Sequence, residues 1–179
     1  MQVPSAIPSD RTAAPETDAV YRRQAWEFLL AGGGIFSMLD YSFTVGAGQY
    51  SHTMNQTVAV YSKSDASIPL FRLYPEDLAH KLWDSLVAHK DVRFDSHPAF
   101  SKIYQLGGAE EVRVRQLFTP ALLSFLESVD GKKKWRIEGN GQVLIIYRLG
   151  KRCKAGHLKT FLEETSALAA QFLGLGSCR

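Results

Sequence analysis

Trp135-Arg-Ile-Glu-Gly-Asn-Gly-Gln-Val-Leu-Ile-Ile-Tyr-Arg148 is the stretch that decides the fold. Asn140-Gly141 sits between two β-rich runs, and Asn and Gly tolerate the positive φ that a tight hairpin turn requires. With Asn140-Gly141 as the turn, Trp135 is expected to face Ile146 and Ile137 to face Leu144. These four side chains would then share the core face of an antiparallel hairpin.

A second hairpin is expected upstream. Between Ile35 and Val45, Leu39, Tyr41, Phe43 and Val45 alternate with Asp40, Ser42 and Thr44, the period of a half-buried strand. Thr53 to Ser62 places Met54, Val58 and Val60 on one face, and Gly46-Ala47-Gly48-Gln49 joins the two runs. Ile68 to Tyr74 reads as a third strand and Lys102 to Leu106 as another, closed by a Gly107-Gly108 turn. Helices are expected from Thr17 or Asp18 to Leu30, stopped by Gly32-Gly33-Gly34, and from Pro75 to about His89. Three more run from Ala109 to Phe118, from a Thr119 cap with Pro120 at the first turn to Val129, and from Ala155 to Leu173. The last carries Leu158, Phe161, Leu162, Thr165, Leu168, Ala169 and Phe172 on one stripe, with Lys159 and Glu163 an i,i+4 pair on the wet face. The fold class is therefore α+β: antiparallel strands in two hairpins packed with about four to five helices.

The chain has 179 residues, so one domain is expected, spanning 18–175 after a disordered tail at 1–17 rich in Pro, Ser, Ala and Thr. Cys153 and Cys178 make neither a disulfide framework nor a zinc site, which suits a reducing compartment. No basic or apolar signal region is visible at the start. The longest apolar stretch, Phe28 to Phe36, falls far short of the roughly 20 residues that cross a bilayer. A cytoplasmic location, peripheral to an inner membrane, is the expectation.

No catalytic centre emerges. Gly46-Ala47-Gly48 precedes a strand, whereas phosphate-binding fingerprints need a following helix. His52, His80, His89, His97 and His157 fall in no metal-ligand spacing. No serine stands in a nucleophile elbow. Arg152 and Lys154 flank Cys153 and would favour its thiolate, but no base is assigned to it. Glu76-Asp77, Glu110-Glu111 and Glu163-Glu164 are helix neighbours that point apart, not dyads. No catalytic, cofactor or metal residue is assigned, and no cofactor is expected.

Net charge is +3, unevenly placed: residues 130–160 hold nine Lys or Arg against Asp130 and Glu138. Lys132, Lys133, Lys134, Lys151, Arg152 and Lys154 form the candidate surface for an anionic partner. An anionic membrane surface or another protein fits the lysines. Nucleic acid is disfavoured because Trp135, the ring available for stacking, lies on the expected core face.

Asp40-Tyr-Ser-Phe-Thr-Val-Gly-Ala-Gly48, Asp95-Ser-His-Pro-Ala-Phe-Ser-Lys102, Val114-Arg-Gln-Leu-Phe-Thr-Pro-Ala-Leu-Leu123 and Tyr147-Arg-Leu-Gly-Lys-Arg152 resemble an uncharacterised domain of bacterial proteins. With Ser51 to Val58 and Glu138 to Gly141, the resemblance spans about residues 40–172. It implies a domain commonly carried after N-terminal membrane helices, and no catalytic residues. Tyr21 to Gly34 and Asp40 to Gly46 are also similar to a segment of planctomycete-type proteins related to TIM-barrel glycosidases. There the pattern continues His-Glu, where this chain has Ala47-Gly48. A (β/α)₈ barrel takes about 250 residues, more than this chain holds. The overlap marks 18–34 as a foreign leading helix. The functional expectation is a non-catalytic interaction module of a membrane-associated bacterial protein. The alternative is a remnant or fusion of a carbohydrate-active protein without an intact active site.

Overall fold

The computed structural model describes residues 25–30, 34–45, 51–76, 90–129 and 134–174. The described residues form eight strands: β1 (Ala25–Leu30), β2 (Gly34–Val45), β3 (His52–Lys63), β4 (Ile68–Pro75), β5 (Lys90–Asp91), β6 (Tyr104–Gly108), β7 (Arg136–Gly141) and β8 (Val143–Tyr147). They join into one antiparallel sheet of order β1-β2-β3-β8-β7-β4-β6-β5. Four α-helices are described: α1 (Pro98–Ile103), α2 (Glu111–Leu117), α3 (Pro120–Ser128) and α4 (Leu158–Leu173), the last preceded by a 3₁₀ turn at Ala155–His157. The α+β class holds. The two expected hairpins are not separate, because β3 pairs with β8 and merges them.

Cross-strand register defines the two faces. Phe36 opposes Tyr61, which opposes Leu144, and Ala59 opposes Ile146, which opposes Ile137. All of these side chains are buried. The Tyr61 hydroxyl hydrogen-bonds Thr165 Oγ1 at 2.9 Å, so this face lies under α4. Trp135 meets Phe161 of α4 at 5.8 Å between ring centroids, and Phe71 of β4 stacks on Phe172 at 5.6 Å. Phe118, just after α2, packs edge-on to Phe71, which continues the core under the shorter helices. On the opposite face Leu39, Tyr41, Phe43 and Ile145 are only half-buried, and Ile35 is 44% exposed.

Several sequence expectations are met. Thr119 caps α3, its Oγ1 accepting from the Leu122 N–H at 3.3 Å, with Pro120 in the first turn. Lys159 and Glu163 pair on the outer face of α4 at 3.8 Å. The late hairpin forms, with Trp135, Ile137, Leu144 and Ile146 all on the core face.

Others are corrected. Ala25 to Leu30 is a strand, not the end of a helix, because its backbone pairs with β2 along its whole length. Trp26, Phe28 and Leu30 alternate as well as they step helically, and the open edge of β2 settles the choice. The 18–34 segment is thus no leading helix over its described part. In the late hairpin Asn140 opposes Val143, and Gly141, at φ +63°, takes the turn with Gln142. Ile137 therefore opposes Ile146 rather than Leu144. Pro75 is the last residue of β4, opposite Tyr104, and helical backbone begins one residue later, at Glu76. Gly107 and Gly108 lie within β6, and the strand expected from Lys102 begins only at Tyr104, after α1. Leu162, placed on the buried stripe of α4, is 38% exposed. The expected tail at 1–17 and the helix from 77 to 89 fall outside the described residues.

Candidate anion-binding cleft

After β8 the chain does not leave the sheet at once. Thr57 of β3 donates its N–H to the Lys151 carbonyl at 3.1 Å, and the Cys153 N–H donates to Thr57 Oγ1 at 2.8 Å. Thr57 Oγ1 in turn donates to Asp40 Oδ1 at 2.6 Å, while Arg152 Nε donates to Asp40 Oδ2 at 2.7 Å. The Gly150 N–H reaches Gln56 Oε1 at 3.3 Å. Gly150 has φ +63°, a conformation side chains resist, which lets the turn fold back against β3. The 150–153 segment is therefore stitched to β2 and β3 on its way to α4.

This seam and the first turns of α4 enclose a cleft of about 330 Å³. Arg148, Arg152, Cys153, Lys154, His157, Thr160, Phe161 and Glu164 line it. Strand parity sends Arg148 to the same face as Ile146, where its guanidinium lies 4.8 Å above the Trp135 ring. That cation–π contact holds the group over the indole. Arg148 Nε is buried with no hydrogen-bond partner. The first turn of α4 contains no acidic residue, and its N-cap, His157, makes no side-chain cap bond. The helix start thus adds its own positive potential to that of the side chains.

The six residues of the expected basic surface are only partly brought together. Lys151, Arg152 and Lys154 cluster in the β8–α4 connection, all exposed, and Arg152 is paired with Asp40. Lys134 is exposed just before β7 with φ +53°. Lys132 and Lys133 lie outside the described residues. Arg148, His157 and Thr160 were not in the expected set. The available signal was Arg148, a cation spaced to meet Trp135 across the hairpin. Burial pushes the Cys153 thiol up, and Asp40 adds to this against the lowering effect of Arg148. The expectation that flanking cations favour its thiolate is overturned.

Arg136 takes the opposite course. One residue from Trp135, it points to the other face and is 3% exposed, its guanidinium 4.8 Å from the Tyr74 ring. There Glu138 Oε1 accepts from Tyr147 at 2.7 Å and Tyr74 at 3.3 Å, and Arg72 Nε lies 3.7 Å from Oε2. Arg136 Nε and one Nη have no hydrogen-bond partner.

Among the described residues no group of three or more His, Cys, Asp or Glu side chains is arranged to hold a metal. No helix there is long and apolar enough to cross a membrane. No protein-family model, curated protein or solved structure matches the chain.

Proposed function

We propose that this chain is a non-catalytic interaction module that engages an anionic partner through the cleft at the start of α4. The observation that supports this reading is the lining: Arg148, Arg152, Lys154 and His157 surround the cleft with Glu164, while Asp40 behind it orients Arg152. The raised thiol of Cys153 offers no activated nucleophile beside them. The partner that best suits this basic end, with Lys134 and Lys151 exposed nearby in the chain, is an anionic membrane surface. This agrees with the resemblance to a domain carried behind membrane helices in bacterial proteins. Each cation near such a surface contributes about 1 kcal/mol, largely screened beyond about 8 Å at physiological salt. Binding is therefore weak and salt-sensitive. Co-sedimentation with phosphatidylcholine vesicles, with and without phosphatidylserine, at low and physiological salt tests it. The protein should pellet with the anionic vesicles at low salt and be released as salt rises. Equal recovery with neutral and anionic vesicles at low salt refutes the reading.

A further inference from the structure

We infer that the group recognised in the cleft is a phosphate ester rather than a carboxylate or a diffuse negative surface; this rests on the anionic-partner reading above. The donor set is the first reason. Arg148 and Arg152 bring two planar guanidinium forks, Lys154 an ammonium and Thr160 a hydroxyl, all around one cleft. A carboxylate has two oxygens in one plane, whereas a phosphate monoester has three arranged as a tripod. Donors converging from two guanidiniums and a helix start match the tripod better.

Fixation is the second reason. Arg152 is oriented by its Nε bond to Asp40, which leaves its terminal nitrogens for a ligand. Arg148 is held over the Trp135 ring, 4.8 Å from its centroid, with its Nε buried and unpartnered. Because its Nε is shut off from solvent, a ligand in the cleft meets Arg148 at its terminal nitrogens. Arg148 is thus oriented before the ligand arrives, and Arg152, although exposed, is tethered to Asp40, whereas a lysine must be ordered by the ligand.

Charge and size agree. Arg148, Arg152 and Lys154, set against Glu164 and the Asp40 that holds Arg152, leave a net positive charge that attracts a monoester of about −1.5 to −2 at neutral pH. The cleft, at about 330 Å³, is larger than an inorganic phosphate needs and falls at the lower end of small-ligand sites. The ligand is therefore a phosphate with a small body, either a soluble phosphomonoester or the headgroup of phosphatidic acid.

The full-length chain is titrated calorimetrically with inorganic phosphate. In parallel it is sedimented with phosphatidylcholine vesicles carrying phosphatidic acid or phosphatidylserine, matched in surface charge. The expected result is saturable phosphate binding. Lys154→Gln should weaken it several-fold and Arg148→Ala at least tenfold. Arg148→Lys keeps the charge but loses the fork and should retain only part of the affinity. Each variant is first checked for a cooperative melt, and Lys154→Gln, an exposed site, keeps the test valid if an Arg148 variant does not fold. Preferential pelleting with phosphatidic acid, relieved by free phosphate, identifies a lipid headgroup. Phosphate binding with equal pelleting on both anionic vesicles identifies a soluble ester. No phosphate binding together with equal pelleting on both overturns the phosphate inference and leaves the anionic-partner reading standing. No binding to phosphate or to either vesicle overturns both.

Discussion

Gly139→Ala is the substitution whose effect follows most directly from the packing. A Cβ built on Gly139 would lie 2.3 Å from Phe71 Cε1, 2.6 Å from Ile68 Cγ2 and 2.8 Å from Phe71 Cδ1. Carbon atoms pack comfortably at about 3.5–4.0 Å, so the Phe71 ring must move by roughly 1 Å. It has nowhere to go. Phe71 is fully buried, stacks on Phe172 at 5.6 Å and meets Phe118 edge-on at 5.2 Å. Overpacking of this kind costs about 1–3 kcal/mol. Gly139 is not at positive φ, so alanine meets no backbone strain and recovers a few tenths of a kcal/mol through the unfolded chain. The net expectation is a loss near 2 kcal/mol, or about 4–8 °C in melting temperature for a chain of this size. Urea melts followed by circular dichroism should show a lower midpoint at unchanged slope. Adding Phe71→Leu should couple favourably with it, measured as a double-mutant cycle. Gly156→Ala serves as the control: its Cβ would meet nothing within 4 Å, so it should be neutral or slightly stabilising. A Gly139→Ala protein that melts at or above the parent temperature would refute the reasoning, because it would mean that Phe71 does not lie over this glycine.

Three further outcomes can be checked in the same melts. Ile146→Ala removes a fully buried side chain from the centre of the sheet and should lower stability by about 2–5 kcal/mol; a change within error would place the side chain outside the core. Burial pushes Tyr104 and Tyr74 up to about 12 and raises Tyr61 and Tyr147 as well, whereas an unfolded tyrosine ionises near 10. Their contribution is intact below pH 10 and is lost as pH rises from 10 toward 12, because there the unfolded chain releases protons that the fold retains; Tyr104 alone accounts for about 2–3 kcal/mol of that loss. Phenolate absorbance should rise late and together with unfolding, and a normal titration of all seven tyrosines would contradict the packing. Arg136→Met removes a buried cation with unpartnered nitrogens and leaves Arg72 balanced against Glu138, so stability should stay within about 1 kcal/mol or increase; a loss above about 2 kcal/mol would show that Arg136 is held by an acceptor.

What could be read in the sequence was what depends on local period and local chemistry. The Asn140-Gly141 signal located the late hairpin, and its faces were right although its pairing was two residues off. A shift of two preserves parity, so the same side chains still reach the core. The Thr119-Pro120 signal located α3 because capping is chemistry between residues three apart. Features set by distant partners were not legible. Gly107-Gly108 reads as a turn, but a Cβ on Gly108 would lie 2.6 Å from Val114 Cγ2, so the glycine is there to let α2 approach the strand. β1 became a strand through its pairing with β2. At the cleft, the charge of Arg152 was visible, but not its bond to Asp40, 112 residues away.

Alternation explains why the basic run does not act as one patch. Trp135 and Arg136 are adjacent, yet β7 turns the first under α4 and the second to the far face beside Tyr74. The register that sets Ile137 against Ile146 also sets Trp135 against Arg148, and this delivers a guanidinium onto the indole. A slip by one residue would reverse Arg148 and take it from the cleft, while exposing Ile146. Core burial therefore fixes the position of the cationic group as firmly as it fixes the core. The other side of the cleft is fixed through Thr57 and Asp40, which tie residues 151–153 to β2 and β3 before α4 begins. Arg148, one residue past β8, and Arg152, tied to β2 through Asp40, are thus positioned by the sheet rather than by a free loop, which is the condition that the proposed anion selectivity requires.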